Sequence, residues 1–376
     1  MLDPQVDIVI IGAGVIGLAV ASQVAKEGRK VYVLERNETF GRETSSRNSE
    51  VIHTSIFYPK GFLNAKLCTE GNLLLYELCE KHNIAYQKIG KLIVAVDDTE
   101  VDALERLYEK GKEEGVNLTM LSQQELKQLE PNVSGVAAIF SPLTGIVDSH
   151  GLMRCFLGKA RDNGTQIAYK TEVVSIDQVS GGYKVGVEEP GGSFSFTSRA
   201  VINCAGFNSD KVAAMCGIDI IEAGYKLYYL KGEYYTLNPV KGRMVNRLVY
   251  PMLLPGFLIG IHTVTDVSGR TRLGPHFYYV SEIDYGMDSS QKQLFYQSSR
   301  RLFPFVEYDD IEPESAGIMP RVYAKGEGFR EFVIRHEYDR GLPGFINLIG
   351  IESPGLTASP AIARYVSSLV DGVLES

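Results

Sequence analysis

No stretch of this sequence stays apolar for the about 18 residues that a membrane-spanning helix needs. No basic cluster stands out either. The 38 Lys and Arg are scattered among 46 Asp and Glu, for a net charge of −8, which excludes an electrostatic footprint for nucleic acid. Cysteine is scarce. Cys68, Cys79, Cys155, Cys204 and Cys216 show no CxxC spacing and are odd in number, so neither a zinc site nor a complete disulfide framework is expected. They read as buried thiols, and no metal site is predicted. The N-terminus enters an apolar strand almost at once and leaves no room for a signal or transit peptide. Cytoplasmic residence is therefore expected, with peripheral membrane contact left open. Long Pro/Ser linkers, low-complexity tracts and internal repeats are also missing, which argues for an interleaved body rather than beads on a string. At 376 residues, 44% hydrophobic and 22% charged, the chain can bury one large core or two ordinary ones.

What is present is concentrated at the start. Val6 to Ile11 is an apolar run, Gly12-Ala13-Gly14-Val15-Ile16-Gly17 follows it, and a helical pattern then runs to Gly28. Strand, glycine turn and helix are predicted in that order. A second strand, Lys30 to Leu34, delivers Glu35 at its end, 18 positions after Gly17. An acid there can accept hydrogen bonds from a ribose. Gly12 makes the tight turn, Gly14 lets the backbone approach a pyrophosphate, and Gly17 lets helix and strand pack closely. The free N–H groups of the helix N-terminus then face the anion. The pattern predicts an ADP-containing dinucleotide.

Soon after Glu35 and Arg36 comes a segment dense in hydroxyls, amides and backbone donors: Thr44, Ser45, Ser46, Arg47, Asn48 and Ser49, leading to His53. A nicotinamide dinucleotide does not require such a stretch. A flavin dinucleotide does, because its ribityl chain and pyrophosphate need a second wall of donors. The sequence holds one GxGxxG only, so a dedicated NAD(P)H site is disfavoured. Reduced flavin would pass its electrons to oxygen, a quinone or another carrier.

These motifs, with Asn203-Cys204-Ala205-Gly206 after a strand and Gly350-Ile351-Glu352-Ser353-Pro354-Gly355-Leu356-Thr357 near the end, resemble the D-amino-acid-oxidase superfamily of FAD enzymes. Within it the chain is most similar to the L-2-hydroxyglutarate dehydrogenase/oxidase branch. Thr144 to Asp148, Lys231 to Tyr234, Leu248 to Pro251, Gly260 to His262 and Leu273 to Pro275 match that branch in order, nearly end to end. The resemblance implies an α/β fold: a Rossmann-like FAD-binding domain with a parallel central sheet, interleaved with a substrate domain on a largely antiparallel sheet. The expected FAD-binding domain comprises residues 1–85, 145–222 and 320–376, and the substrate domain 86–144 and 223–319. Expected FAD contacts are Gly12, Gly14, Val15, Ile16, Gly17, Glu35, Arg36, the segment Thr44 to Ser49, Val173, Cys204, Ala205, Gly206, Gly350, Glu352, Gly355, Leu356 and Thr357. The implied activity is oxidation of a small carboxylate at carbon 2 by transfer to flavin N5.

Such chemistry asks for a base to take the hydroxyl proton, and imidazole, with an ordinary pKa of about 6.5, suits neutral pH. His53 and His262 match the dehydrogenase pattern and are the candidate bases. His82, His150, His276 and His336 have no comparable setting. Substrate carboxylates need cationic or hydroxyl partners. Members of the branch usually carry an arginine directly before the proline of the segment Ala316 to Arg321, and this chain has Met319 there. Arg321, Lys231, Tyr250 and Arg47 remain as anchors for a small carboxylate substrate. Two alternatives stand beside the 2-hydroxy acid: an amino-acid or secondary-amine oxidase of the same superfamily, and a flavin-binding electron-carrier subunit without its own substrate.

Locally, helices are predicted over Thr69–Asn83 and Thr99–Gly115, a capping box at Ser122–Glu125, and a last helix from about Ala358. Strands are predicted over 171–176, 183–187, 193–196, 199–203 and 345–349, with a largely antiparallel sheet between Tyr225 and Pro304.

Overall fold

A computed structural model describes residues 5–252 and 260–374. Leu258 and Ile259, which the sequence pattern placed just before His262, lie outside them. The strand Gln5–Ile11 is apolar on both faces, with Ile8, Val9 and Ile10 fully buried, as a central parallel strand must be. It lies between Val31–Glu35 and Gly192–Asn203, parallel to both, in an eight-stranded sheet that Gln166–Tyr169 and Phe345–Ile349 extend in parallel. Antiparallel hairpins complete it at the margins. Helices Val15–Val24, Leu63–His82, Ser149–Asp162 and Gly355–Leu374 share one core with this sheet.

The region from Tyr228 to Arg321 forms a second, four-stranded sheet that is antiparallel throughout, in the order His262–Thr265, Thr271–Val280, Tyr228–Leu237, Ile311–Arg321. Leu248–Pro251 departs from the expected pattern: it pairs in parallel with Lys91–Ala95 in a separate four-stranded sheet. A fourth, small sheet joins Val51–Ile52, Gly145–Val147 and Tyr86–Gln87, and His53 follows directly on its strand Val51–Ile52.

Where elements differ from the sequence reading, the cause is a distant partner or a satisfied polar group. The expected helix from Thr69 begins at Leu63, because the Glu331 carboxylate accepts from the free N–H groups of Leu63 and Asn64. Its left-handed Asn83 ends it as expected. The strands expected at 193–196 and 199–203 are one strand, Gly192–Asn203. The Ser198 hydroxyl that interrupts its apolar pattern donates to the Ala200 carbonyl and is buried. The last helix starts at Gly355 and tolerates Pro360, whose missing N–H leaves the Leu356 carbonyl free; the Ser359 hydroxyl donates to it instead, at 2.8 Å. The capping box at Ser122 and Glu125 and the strand Phe345–Ile349 fall where they were predicted. All five cysteines are free. Cys68, Cys79 and Cys204 are buried as expected, whereas Cys155 and Cys216 are partly exposed.

Candidate active site

A cavity of about 1030 Å³ runs from the glycine turn to the two candidate histidines. Its first end is made by chain geometry. Gly12 has φ +102°, and a Cβ there would stand 2.5 Å from the Cys204 carbonyl oxygen; one at Gly17 would stand 1.9 Å from the Gly12 oxygen. These two positions have no room for a side chain because the protein fills it. Gly14 is different. Its nearest protein atom would be the Ser45 hydroxyl at 3.0 Å, so the space over it belongs to the cavity and is open to a ligand. Helix Val15–Val24 opens there, with the Val15 N–H donating to Ser45 Oγ at 2.9 Å. Glu35, buried at the end of its strand, accepts from the Ala13 N–H at 2.8 Å and from Asn37. The carboxylate so braces the glycine turn and keeps a further lone pair for a ribose hydroxyl.

Most expected cofactor residues line this cavity: Gly12, Gly14, Val15, Ile16, Glu35, Arg36, Thr44, Ser45, Arg47, Asn48 and Ser49, with Val173, Cys204, Ala205, Gly206, Glu352, Gly355 and Leu356. Four are not brought to it. Gly17 packs under the turn, Ser46 faces a neighbouring small pocket, and Gly350 packs on Val322. Thr357 is fully buried, and its hydroxyl accepts from the His53 N–H at 3.0 Å and donates to the Val51 carbonyl. It holds the histidine in place.

At the other end, His53 and His262 both border the cavity. The His262 ring stacks on Tyr250 at 3.6 Å between centroids, and Nδ1 lies 2.8 Å from the Gly260 carbonyl. A carbonyl only accepts, so Nδ1 carries the hydrogen and Nε2 presents its lone pair. Both imidazoles are held neutral. Burial, then the nearby charge of Lys91, lowers the His53 pKa to about 3, with His262 adding a smaller push. For His262, burial and Lys91 win over the Gly260 carbonyl, again to about 3.

Lys91 was not foreseen from sequence. It opens an otherwise apolar strand, is fully buried, and its ammonium has no hydrogen-bond partner among the described residues. Only the faces of Phe57, at 4.6 Å, and Tyr250, at 5.1 Å, receive it. Burial lowers its pKa to about 8, opposed by Cys68. A lysine at one end of a hydrophobic strand gives no sequence signal of its own, since it reads as a surface residue.

The candidate anchors separate. Met319 and Arg321 are two positions apart on one strand, and both border the cavity, so Pro320 does not turn the chain away. Arg321, however, is already paired: its Nε lies 2.6 Å from Glu352 Oε2, both side chains nearly buried. Burial raises Glu352 to about 7, against the opposing pull of Arg321. Arg47 borders the cavity with its guanidinium 4.1 Å over the Tyr285 ring. Tyr250 also borders it, stacked on His262. Lys231 does not: it points away from the cavity to Asp284, Glu233 and the Gly286 carbonyl. None of His82, His150, His276 and His336 lines the cavity.

A profile of the FAD dependent oxidoreductase family matches residues 7–369. The chain belongs to this family. As an FAD-dependent oxidoreductase it is similar to an L-2-hydroxyglutarate dehydrogenase, mitochondrial, of Arabidopsis thaliana, 33% identical over 97% of this chain and 83% of the relative. It is also similar to a glycerol 3-phosphate dehydrogenase of Caloramator mitchellensis, 29% identical over 98% of this chain and 74% of the relative. The fold matches a dithionite-reduced L-alpha-glycerophosphate oxidase from Mycoplasma pneumoniae with FAD bound, with a TM-score of 0.85 and 28% identity over 98% of this chain and 95% of that one. FAD fits the residues present. The open space over Gly14, the donors of Ser45 and the helix N-terminus, and the buried Glu35 carboxylate suit its pyrophosphate and ribose, and the cavity continues to the histidines. Among the described residues no helix is long and apolar enough to cross a membrane.

Proposed function

We propose that this oxidoreductase oxidises a small 2-hydroxy acid of the L-2-hydroxyglutarate type to its 2-oxo acid. The observation that carries the reading is the His262 imidazole, neutral, oriented by the Gly260 carbonyl, with Nε2 making no hydrogen bond among the described residues at the far end of the FAD-family cavity. Bound FAD supplies the acceptor for the hydride that leaves carbon 2. The protein's part is to take the hydroxyl proton, and Nε2 of His262 or the imidazole of His53 receives it. A base with a pKa near 3 is weak at rest. The carboxylate of an arriving substrate counters the Lys91 charge and favours the imidazolium that forms, so basicity rises when the substrate is in place. Arg321, two positions from Met319 on the same strand, would hold that carboxylate, in exchange with Glu352.

We further infer a division of labour: residues 1–85, 145–222 and 320–376 hold FAD, and 86–144 and 223–319 shape the substrate end. Oxygen, a quinone or another carrier would reoxidise the flavin. A second reading is favoured by the two glycerophosphate enzymes to which the chain is similar. Glycerol 3-phosphate also offers a secondary alcohol with an anionic group beside it, and needs the same base.

Anaerobic bleaching of the bound flavin by L-2-hydroxyglutarate, glycerol 3-phosphate and a panel of amino acids tests the choice. L-2-Hydroxyglutarate should bleach it fastest. Bleaching by glycerol 3-phosphate alone would favour the second reading, and bleaching by amino acids alone would overturn both.

A further inference from the structure

Next to the main cavity lies a smaller one of about 260 Å³, and the two share Arg42, Arg47, Asn48, Tyr234 and Gly317. Three guanidinium groups, those of Arg42, Arg47 and Arg272, line it, and no carboxylate does among the described residues. Arg272 is the deciding member. It is 8% exposed, its Nε is buried without a hydrogen-bond partner among the described residues, and its guanidinium lies over the Tyr234 ring at 5.1 Å. Arg47 likewise has an aromatic face, Tyr285, in place of an acid. Arg42 pairs at 3.0 Å with Glu38, where both side chains are exposed and screened by water.

A guanidinium taken out of water without a counter-charge is costly, and the cost is recovered when an anion accepts its fork of N–H donors. The pocket has the room: its volume exceeds several times the about 30 Å³ share of a water molecule. Its position is specific as well. His262 is paired with Gly274 and Val264 with Arg272 on adjacent strands, so Arg272 and His262 stand on the same face of the substrate sheet, two residues apart along it.

We propose that this side pocket binds a small oxyanion, a carboxylate or phosphate group, on Arg272 with Arg47 as the second cation. Two sources offer that chemistry: the far end of an anionic substrate that reaches past Tyr234, and a free anion from solution. The site goes beyond the proposed oxidation, and its test needs no turnover, so either can fail without the other.

The experiment titrates the FAD-bound protein with inorganic phosphate, and separately with malonate, by calorimetry. Saturable binding is expected in the wild type and at least about ten-fold weaker binding in Arg272→Met, a variant whose flavin spectrum reports that it is folded. Arg47→Met provides the same comparison if the first variant does not fold. Competition between phosphate and a non-reactive dicarboxylate that perturbs the flavin spectrum would assign the site to the substrate's far end; independent binding would assign it to a free anion. Equal affinity in wild type and both variants, or no binding by the wild type, overturns the proposal.

Discussion

The two ends of the main cavity are built by different means. At the glycine turn, main-chain geometry does the work: Gly12 and Gly17 are close-packed against backbone, Gly14 is open, and the recognising groups are N–H donors and a carboxylate that come from the first 50 residues. At the histidine end, side chains from separate segments converge, with His53, Lys91, Tyr250, His262, Arg321 and Glu352 drawn from strands and loops across the chain. The first end tolerates almost no change of shape, and its buried Glu35 carboxylate is fixed by main-chain and Asn37 donors. The second is set by burial and a balance of charges, in which burial and then the Lys91 charge depress two imidazoles and burial raises the Glu352 carboxyl to about 7.

The contrast can be broken first where the effect is largest. Gly14→Val should abolish FAD binding, because the branched side chain would occupy the space over the turn, while the rest of the fold has nothing but the Ser45 hydroxyl to displace. The visible spectrum of the purified variant checks it, and stoichiometric flavin would show that the turn does not hold the pyrophosphate. Next, His262→Asn should keep the yellow colour and slow anaerobic flavin reduction by about 100-fold or more. If it and His53→Asn both reduce at the native rate in rapid-mixing experiments, the histidine end has no base.

A smaller effect follows from Glu352, whose pKa burial raises to about 7. Above that pH its carboxylate neutralises Arg321, and below it the proton frees the cation. Affinity for a non-reactive dicarboxylate should therefore rise as pH falls through about 7, by at most about ten-fold per unit for one linked proton. Titration of the flavin spectrum at several pH values measures this, and Glu352→Gln should remove the dependence. The smallest expected effect is that of Lys91→Met. Its charge is the second cause, after burial, of the low His53 and His262 pKa values, so the acid limb of the reduction profile should move up by about one unit without reaching 6.5. Methionine suits the cage of Phe57 and Tyr250, and the melting temperature should not fall. An unmoved limb would mean that Lys91 does not act on the imidazoles.

The same division explains what could be read in advance. The turn, Glu35 and the polar segment from Thr44 were legible because each acts through its neighbours in sequence, and so was the capping box at Ser122. The start of the helix at Leu63 was not, because Glu331, from far along the chain, supplies its cap. Thr357 was expected at the cofactor for its place in a motif, yet its hydroxyl holds His53. Lys91 and Arg272 carry no local mark at all. Their importance comes from the lack of a hydrogen-bond partner for Lys91 Nζ and Arg272 Nε among the described residues, and no window of sequence shows an absent partner.

The bond between Thr357 and His53 spans 304 positions. The helix Gly355–Leu374, which carries Thr357 in its first turn, also packs against both Val15–Val24 and Leu63–His82. One helix near the end of the chain thus holds His53 and also covers the faces of two helices from its first 82 residues, so its loss would loosen the candidate base and uncover apolar surface together.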